Sequence, residues 1–159
     1  YRHLVEKYKV RAYYAALMFT RNRDDALDLS QEAFYRAYRA LDHFDTSKNF
    51  YTWFYKILKN LCLNFVTRQK RFEEFDPSGI NSRQENPQEI LERDERSRAV
   101  WQGLREFPAK DREIILLKDF DGMSYRDIAD ALEIPIGSVM SRLYYARKKL
   151  LKKLEYLNE

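Results

Sequence analysis

The chain has 159 residues and carries 29 Lys and Arg against 25 Asp and Glu, for a formal net charge of +4. A chain of this length forms one domain or two small ones, and its apolar runs fall far short of the roughly 20 residues of a membrane span. We therefore expect a soluble protein with no membrane insertion. The single cysteine, Cys62, excludes an intrachain disulfide framework and fits a reducing cytoplasm. Because the sequence begins with Tyr1 and not Met, we expect its natural N-terminus to have been trimmed.

The residue types and their periodicity predict an all-α fold. Only four Gly and four Pro are present, and no run of alternating apolar and polar residues marks a strand. The N-terminal block is predicted to contain a helix over residues 1–20, a second over 24–41 and a polar loop at 42–49. The second helix is expected to turn one side inward, formed by Leu27, Phe34, Ala37 and Leu41.

A long helix is predicted over residues 50–71. Its core side has helical spacing and consists of Phe54, Ile57, Leu58, Leu61 and Phe65, with Cys62 as a small core residue. Its opposite side mixes an aromatic residue, amides and cations: Trp53, Lys56, Asn60, Asn64, Thr67 and Arg71. Such a mixture stacks on unpaired bases and pairs with phosphate, but it also suits a solvated face whose Trp53 packs partly on the loop.

An acidic, proline-containing stretch separates this block from the next. It contains Pro77 and Pro87 and many carboxylates, and its first half has no helical apolar stripe. We therefore predict two small helical domains, at 1–72 and 95–159, joined by an acidic flexible linker at 73–94.

The C-terminal block ends in a helical hairpin of a specific kind. A helix starting near Pro87 and another over 110–120, stopped by Asp121 and Gly122, are predicted to precede it. Ser124 with Asp127 forms a variant capping box at the start of the hairpin. Its core spacing is that of a helix-turn-helix, with Ile128, Ala129, Leu132, Ile134, Val139 and Leu143 inside.

Two residues are expected to mark the turn of the hairpin, Pro135 and Gly137, while the small Ala129 is expected to let its helices approach closely. The second helix ends in a run of cations without an acid: Arg147, Lys148, Lys149, Lys152 and Lys153. Its basic end would lie against phosphates while its first turns enter the major groove. The alternative is a plain amphipathic hairpin with a solvated basic end.

No pattern in the chain indicates an active site. His3, His43 and Cys62 are not spaced as metal ligands, and there is no glycine-rich phosphate loop and no nucleophile elbow. The acids of the second helix cluster at its exposed start, where the helix dipole favours them. We predict no catalysis, no metal, no cofactor and no small-molecule substrate.

Three segments in order resemble the bacterial extracytoplasmic-function sigma factors, the short promoter-specificity subunits of RNA polymerase. "DALDLSQEAFYRAYRALDHF" resembles sigma regions 2.1 to 2.2, "FYTWFYKILKNLCLNFV" resembles regions 2.3 and 2.4, and "DGMSYRDIADALEIPIGSVMSRLYYARKKL" resembles region 4.2. The resemblance implies a region 2 helical bundle and a region 4 helix-turn-helix. We expect no room in a chain of this length for the additional domains of housekeeping sigma factors, which also fits this group.

The resemblance also implies roles for individual residues. Contact with the coiled coil of the polymerase β′ clamp falls to Asp28, Gln31, Glu32 and Tyr35. Recognition of the unpaired minus-10 strand falls to the loop at 42–49 with Arg36, Lys56, Asn60 and Asn64. Recognition of the minus-35 element falls to Ser138, Met140, Ser141, Arg142, Tyr144, Tyr145, Arg147 and Lys148. Trp53 is structural or stacked on DNA, and the helix before the helix-turn-helix is expected near the polymerase β flap.

Two positions depart from the family pattern. Many relatives have Arg or Lys where this chain has Met140, and a basic residue is common where it has Tyr145. Met cannot make the bidentate contact to guanine that contributes about 1 to 3 kcal/mol of discrimination. Among the basic residues, Arg142 and Arg147 then remain as the best contacts to the minus-35 element.

We therefore predict a cytoplasmic sigma factor that binds core RNA polymerase, recognises two promoter elements and helps to melt the downstream one. The resemblance further implies an anti-sigma factor as partner. The closest alternative is a two-domain helix-turn-helix regulator that binds duplex DNA without joining the polymerase. A nucleic-acid enzyme such as a nuclease is the third hypothesis, and it would need acids placed for a metal.

Overall fold

A computed structural model describes residues 1–75 and 103–157 of the chain, which divides into two compact units between residues 85 and 86. All regular elements in these two ranges are helical, which confirms the predicted all-α fold. The first unit contains α1 (Arg2–Thr20), α2 (Arg23–Arg39) and α3 (Phe50–Phe75). The predicted linker lies outside the described residues from position 76 onward, as does the start of the helix expected near Pro87.

Local capping explains where the helices of the first unit begin and end. Arg21 adopts a left-handed conformation, with φ 54°, at the end of α1. The Asn22 side chain then accepts a hydrogen bond from the Asp25 backbone N–H at 3.0 Å and starts α2. Asn49 caps α3 in the same way through the backbone N–H groups of Tyr51, at 2.9 Å, and Thr52, at 3.3 Å. The loop before α3 begins with a short 3₁₀ turn at Leu41–His43.

Aromatic rings fill the core of this three-helix bundle. Phe34 of α2 stacks on Phe54 of α3 with ring centroids 4.4 Å apart, and Tyr8 of α1 stacks on Tyr51 of α3 at 5.3 Å. Cys62 is fully buried, and this burial raises the pKa of its thiol to about 12. The interpretation of Cys62 as a small core residue is therefore confirmed.

The expected inner sides of α2 and α3 need correction. Leu27 is exposed, and α2 instead buries Ala26, Ser30, Ala33, Phe34 and Ala37. Small residues on this side suit close packing on α1, which itself buries three alanines. On α3, Ile57 and Phe65 are only half-buried, because its inner side is taken by Phe50, Tyr51, Thr52, Phe54, Tyr55, Leu58, Leu61 and Cys62.

The second unit packs α4 (Ala109–Ile115), α5 (Tyr125–Leu132) and α6 (Ile136–Leu157) around one apolar core. α4 continues as a π-helical segment at Leu116–Phe120, which together with α4 covers the helix predicted for 110–120. Gly122, with φ 67°, ends it as predicted. The core of this unit includes Leu104, Phe107, Ile114, Ile115, Leu116, Leu117, Met123, Ile128, Ala131, Val139, Leu143 and Ala146.

The helix-turn-helix forms as predicted, but its turn is built differently. Ser124 caps α5, because its hydroxyl oxygen accepts from the Asp127 N–H at 3.1 Å. The left-handed residue of the turn is Glu133, with φ 56°, whereas Gly137 already lies in the first turn of α6. Ala129, expected in the core of the hairpin, is only half-buried, and the buried alanine of α5 is Ala131.

Replacing Glu133 by Gly is expected to stabilise the second unit. A left-handed backbone costs an L-residue about 1–2 kcal/mol, and Gly avoids most of that cost. We expect a gain of about 1 kcal/mol in the free energy of unfolding, measured by urea denaturation. Gly137→Ala is the control, because a Cβ there meets nothing within 4 Å and should be tolerated. A loss of stability for Glu133→Gly would contradict the strained turn.

Candidate nucleic-acid interface

The outward surface of α6 carries every residue predicted to read the minus-35 element. Ser138 and Arg142 are half-buried at its edge, whereas Met140, Ser141, Tyr144, Tyr145, Arg147 and Lys148 are exposed. The opposite side of α6 is held in the core by Val139, Leu143 and Ala146. Because these three follow helical spacing, the rotation of α6 about its axis is fixed and its outward surface is a defined one.

The basic end of α6 is partly neutralised by acids of the same unit. Arg147 Nε donates to Asp119 Oδ2 at 3.1 Å, and a second nitrogen of its guanidinium contacts Asp119 Oδ1. This hydrogen bond to Asp119 raises the pKa of Arg147. Lys149 Nζ pairs with Asp111 Oδ2 at 3.0 Å. Lys153 pairs with Glu106, and that hydrogen bond lowers the pKa of Glu106.

At the basic end of α6, Lys148 and Lys152 have no carboxylate partner in the described part of the chain. Both are exposed, and Lys148 Nζ lies 5.7 Å from the centre of the Tyr144 ring. They lie four residues apart, so they share one side of the helix. These two lysines are therefore better placed for phosphate than Lys149, which Asp111 already holds.

Replacing Lys148 and Lys152 by Ala is expected to weaken duplex binding for every sequence and to flatten its dependence on salt. Each lost phosphate contact should reduce the slope of log K against log salt by about 0.9. The measurement is fluorescence anisotropy of duplex binding over a salt series. Lys149→Ala is the matched control and should leave the slope nearly unchanged. An equal change of slope for Lys149→Ala would show that its ion pair does not keep it from DNA.

In the first unit, the polar side of α3 presents the predicted amides. Asn60 and Asn64 are exposed one turn apart, and Lys56 is half-buried one turn earlier. The ring centroid of Trp53 lies 4.9 Å from that of Phe44 in the preceding loop and 5.8 Å from that of Phe50 at the start of α3. This packing agrees with the structural interpretation of Trp53.

The loop at 44–49, before α3, is organised by its own polar groups. Asp45 Oδ1 accepts from the Ser47 hydroxyl at 2.7 Å and from the Ser47 backbone N–H at 3.0 Å. The hydroxyl hydrogen bond is the main reason why the pKa of Asp45 lies below its ordinary value. Lys48 and Asn49 are exposed beside them. The loop therefore carries exposed polar groups in a defined conformation at the start of α3.

The outward side of α2 is polar, exposed and not basic. It presents Asp28, Gln31, Glu32 and Tyr35, all of which are exposed, as expected for this side of the helix. Arg36 Nε donates to Glu32 Oε1 at 2.8 Å, so Arg36 lies on this helix beside the acids, whereas Lys56, Asn60 and Asn64 lie on α3. The Arg39 guanidinium lies 5.9 Å from the centre of the Tyr35 ring.

Sequence patterns did not indicate the acids that pair with α6. Asp119 and Asp111 lie 28 and 38 residues before their partners Arg147 and Lys149. No periodicity links such distant positions. The presence of Asp111 in α4 and of Asp119 in the segment that follows it was only a weak indication that acids could pair with α6. In residues 1–75 and 103–157, no three His, Cys, Asp or Glu side chains are grouped to hold a metal ion. None of the helices described in those ranges has the length and apolarity needed to cross a membrane.

Comparison with known families identifies both units. The family described as Sigma-70 region 2 matches residues 4–72, and the family described as Sigma-70, region 4 matches residues 97–150. The sigma-H factor of RNA polymerase from Pseudomonas aeruginosa is 34% identical over 165 residues, covering 97% of this chain and 86% of the relative. The chain belongs to the extracytoplasmic-function sigma factors of the sigma-70 family.

Further relatives agree with this assignment. The ECF sigma-E factor of Escherichia coli K12 is 34% identical over 144 residues, covering 84% of this sigma factor and 75% of the relative. The sigma factor RpoE from Bartonella quintana, solved with the anti-sigma factor NepR, shares the fold with a TM-score of 0.76 over 98% of both chains at 22% identity. CnrH, solved with the cytosolic domain of CnrY, has a TM-score of 0.70 and 27% identity over 97% of this chain and 86% of CnrH.

The predicted function is thereby confirmed at the level of the family. This sigma factor is a promoter-specificity subunit of RNA polymerase, and that interpretation is favoured over a regulator that binds duplex DNA alone. The relatives from Pseudomonas aeruginosa and Escherichia coli are both sigma factors of RNA polymerase.

Proposed function

We propose that the two units divide promoter recognition between them. Residues 1–72 bind core polymerase and open the minus-10 element, 73–94 connect the units, and 95–159 read the minus-35 duplex. The protein works in the cytoplasm, where RNA polymerase acts, and catalyses no reaction of its own. The supporting observation is the outward surface of α6. Its rotation is fixed by the core, and it ends in Lys148 and Lys152, which have no carboxylate partner within residues 1–75 and 103–157.

The α2 surface is the proposed contact with the β′ clamp. It is exposed and carries both acidic and neutral polar groups, so it suits a protein partner better than the polyanion that Lys148 and Lys152 would meet. The proposed contact with the β flap belongs to the helix before the helix-turn-helix. The polar side of α3, with Lys56, Asn60 and Asn64, remains for the unpaired minus-10 strand.

Run-off transcription tests the proposal directly. The full chain is added to bacterial core polymerase on fragmented genomic DNA, and the initiated transcripts are sequenced. We expect initiation at promoters that share an upstream and a downstream element. Duplex binding without association with core polymerase would favour the plain regulator, and metal-dependent cleavage of the DNA would favour a nuclease.

Asn60→Ala is expected to reduce open-complex formation and to leave minus-35 duplex binding nearly intact. In the proposed role, the exposed Asn60 amide bonds a base edge that becomes accessible when the minus-10 element is unpaired, so its loss should act after duplex binding. A lost hydrogen bond of about 1 kcal/mol corresponds to a roughly fivefold reduction. Permanganate reactivity of unpaired thymines measures opening, and anisotropy measures duplex binding.

Gln69→Ala is the matched control for Asn60→Ala. Gln69 carries the same amide on the same helix, but it lies nine residues further on and therefore on the opposite side of α3. Gln69→Ala should therefore open promoters to the same extent as the unsubstituted protein. If Asn60→Ala lowers opening and duplex binding equally, its proposed role in the unpaired strand is wrong.

We also propose that an anti-sigma factor restrains this protein. The support is the fold shared with the sigma factor RpoE, which was solved in complex with the anti-sigma factor NepR. An inhibitor of this kind has to compete with core polymerase for the sigma factor. A partner isolated with the chain should therefore inhibit run-off transcription and be displaced by excess core polymerase.

A further inference from the structure

Exposed apolar side chains line the first turns of α6. Ile136, Met140 and Tyr144 recur every four residues and are 50%, 52% and 60% exposed. They form one stripe on the outward surface, which is called the apolar ridge below. The ring of Tyr145 packs edge-on against Tyr144, with ring centroids 5.3 Å apart. Isolated exposed apolar residues are ordinary, but these three occupy the turns expected to enter the groove.

Few hydrogen-bond donors accompany the ridge. Arg142 is the only cation between residues 136 and 146, and it is half-buried. The Ser141 hydroxyl already donates to the Gly137 carbonyl oxygen at 3.0 Å. Ile136 and Met140 have no donor at all. Hydrogen bonding to base edges in this part of the helix is therefore limited to Arg142, the half-buried Ser138 hydroxyl and the tips of the two tyrosines.

The charged end of α6 indicates which partner the ridge meets. Lys148 lies one turn beyond Tyr144, with its ammonium 5.7 Å from the Tyr144 ring centre, and Lys152 lies one turn further. Cations in line with the ridge suit a polyanion, whereas an apolar protein partner would have to desolvate them. On the major-groove edges of DNA, the apolar group is the 5-methyl of thymine.

We propose that Met140 and Tyr144 read the minus-35 element by packing against thymine 5-methyl groups in the major groove. This inference rests on the proposed function of the C-terminal unit. In this proposal, van der Waals contact discriminates between bases at the position where an Arg at residue 140 would do so by hydrogen bonds. The upstream element should accordingly contain A·T pairs where α6 meets the bases.

The test removes single methyl groups from the DNA. Holoenzyme assembled from the full chain and bacterial core polymerase is bound to a promoter duplex recovered by run-off sequencing. Each thymine of the upstream element is replaced in turn by deoxyuridine, which pairs normally but lacks the methyl. Burial of one methyl corresponds to about a fourfold difference in affinity. We therefore expect Kd to rise about fourfold at one or two positions and not for deoxyuridine in the spacer.

Protein variants assign the effect to the ridge. Met140→Ala should bind the thymine duplex more weakly and lose its sensitivity to deoxyuridine at one of these positions. Tyr144→Phe should keep the sensitivity, because the ring remains. Leu151→Ala is the matched control, since Leu151 is 61% exposed on the same helix but about 16 Å beyond Met140, and it should behave like the parent.

Three results would overturn the inference. One is a Kd that is unchanged when every upstream methyl is removed, and another is a full deoxyuridine effect that persists in Met140→Ala. The third is an upstream element without A·T pairs. These leave the proposed function intact as long as holoenzyme still initiates at specific promoters. Absence of promoter-specific initiation would overturn the proposed function together with the inference.

Discussion

Replacing Phe54 by Ala is expected to destabilise the first unit by about 3–5 kcal/mol, a typical cost of removing a buried aromatic ring. Phe54 is fully buried and stacks on Phe34 at 4.4 Å, so its loss leaves a cavity at the contact between α2 and α3. Thermal unfolding followed by circular dichroism measures the loss. Because the second unit has its own core, duplex binding by α6 should survive while promoter opening is lost.

Phe72→Ala is the matched control for Phe54→Ala. Phe72 lies on the same helix but is 68% exposed, so its truncation should change the free energy of unfolding by no more than about 0.5 kcal/mol. Equal destabilisation by the two substitutions would show that the C-terminal part of α3 is packed in solution. Loss of duplex binding in Phe54→Ala would show that the two units do not fold independently.

Replacing Leu143 by Ala is expected to destabilise the second unit by about 2–5 kcal/mol. Leu143 is buried between Val139 and Ala146 on the inner side of α6, so its truncation loosens the helix that carries the proposed minus-35 surface. Binding to the upstream duplex should fall with the folded fraction of this unit. Hydrogen exchange of α5 and α6 measures the local loss of stability, and anisotropy measures binding.

A control for Leu143→Ala is available on the same helix. Leu151 is exposed, and Leu151→Ala should change stability by no more than about 0.5 kcal/mol. A small effect at both positions would mean that the α5–α6 contact does not depend on Leu143. In that case, the rotation of α6 and the surface assigned to DNA would both need revision.

Features determined locally could be predicted from the sequence. Ser124 and Asp127 indicated the start of α5, and Asp121 with Gly122 indicated the end of the preceding helix, because caps and stops depend on neighbouring residues. The exposed sides of α2 and α6 could also be predicted, because their polar residues recur at steps of three and four residues. Identity could be predicted only because three such segments occurred in a known order.

Features that depend on the tertiary structure could not be predicted. Gly137 was expected to mark the turn, but the left-handed residue is Glu133, because the packing of α5 on α6 fixes where the chain turns. Leu27 was expected to face inward, but Ala26 takes that side, where small residues suit close packing on α1. Arg147 pairs with Asp119, which is far from it in sequence. The run of Arg and Lys at the end of α6 therefore suggested more unpaired positive charge than the structure shows.

The burial of Cys62 makes this sigma factor suitable for labelling at a single chosen site. Its thiol is fully buried and has a pKa of about 12, so at neutral pH it stays protonated and out of reach of maleimides. It is also the only cysteine of the chain. A new cysteine introduced at Gln31 or Ser141 would then be the one reactive thiol. A crosslinker or fluorophore attached there would report contacts with polymerase or promoter without prior removal of the native cysteine.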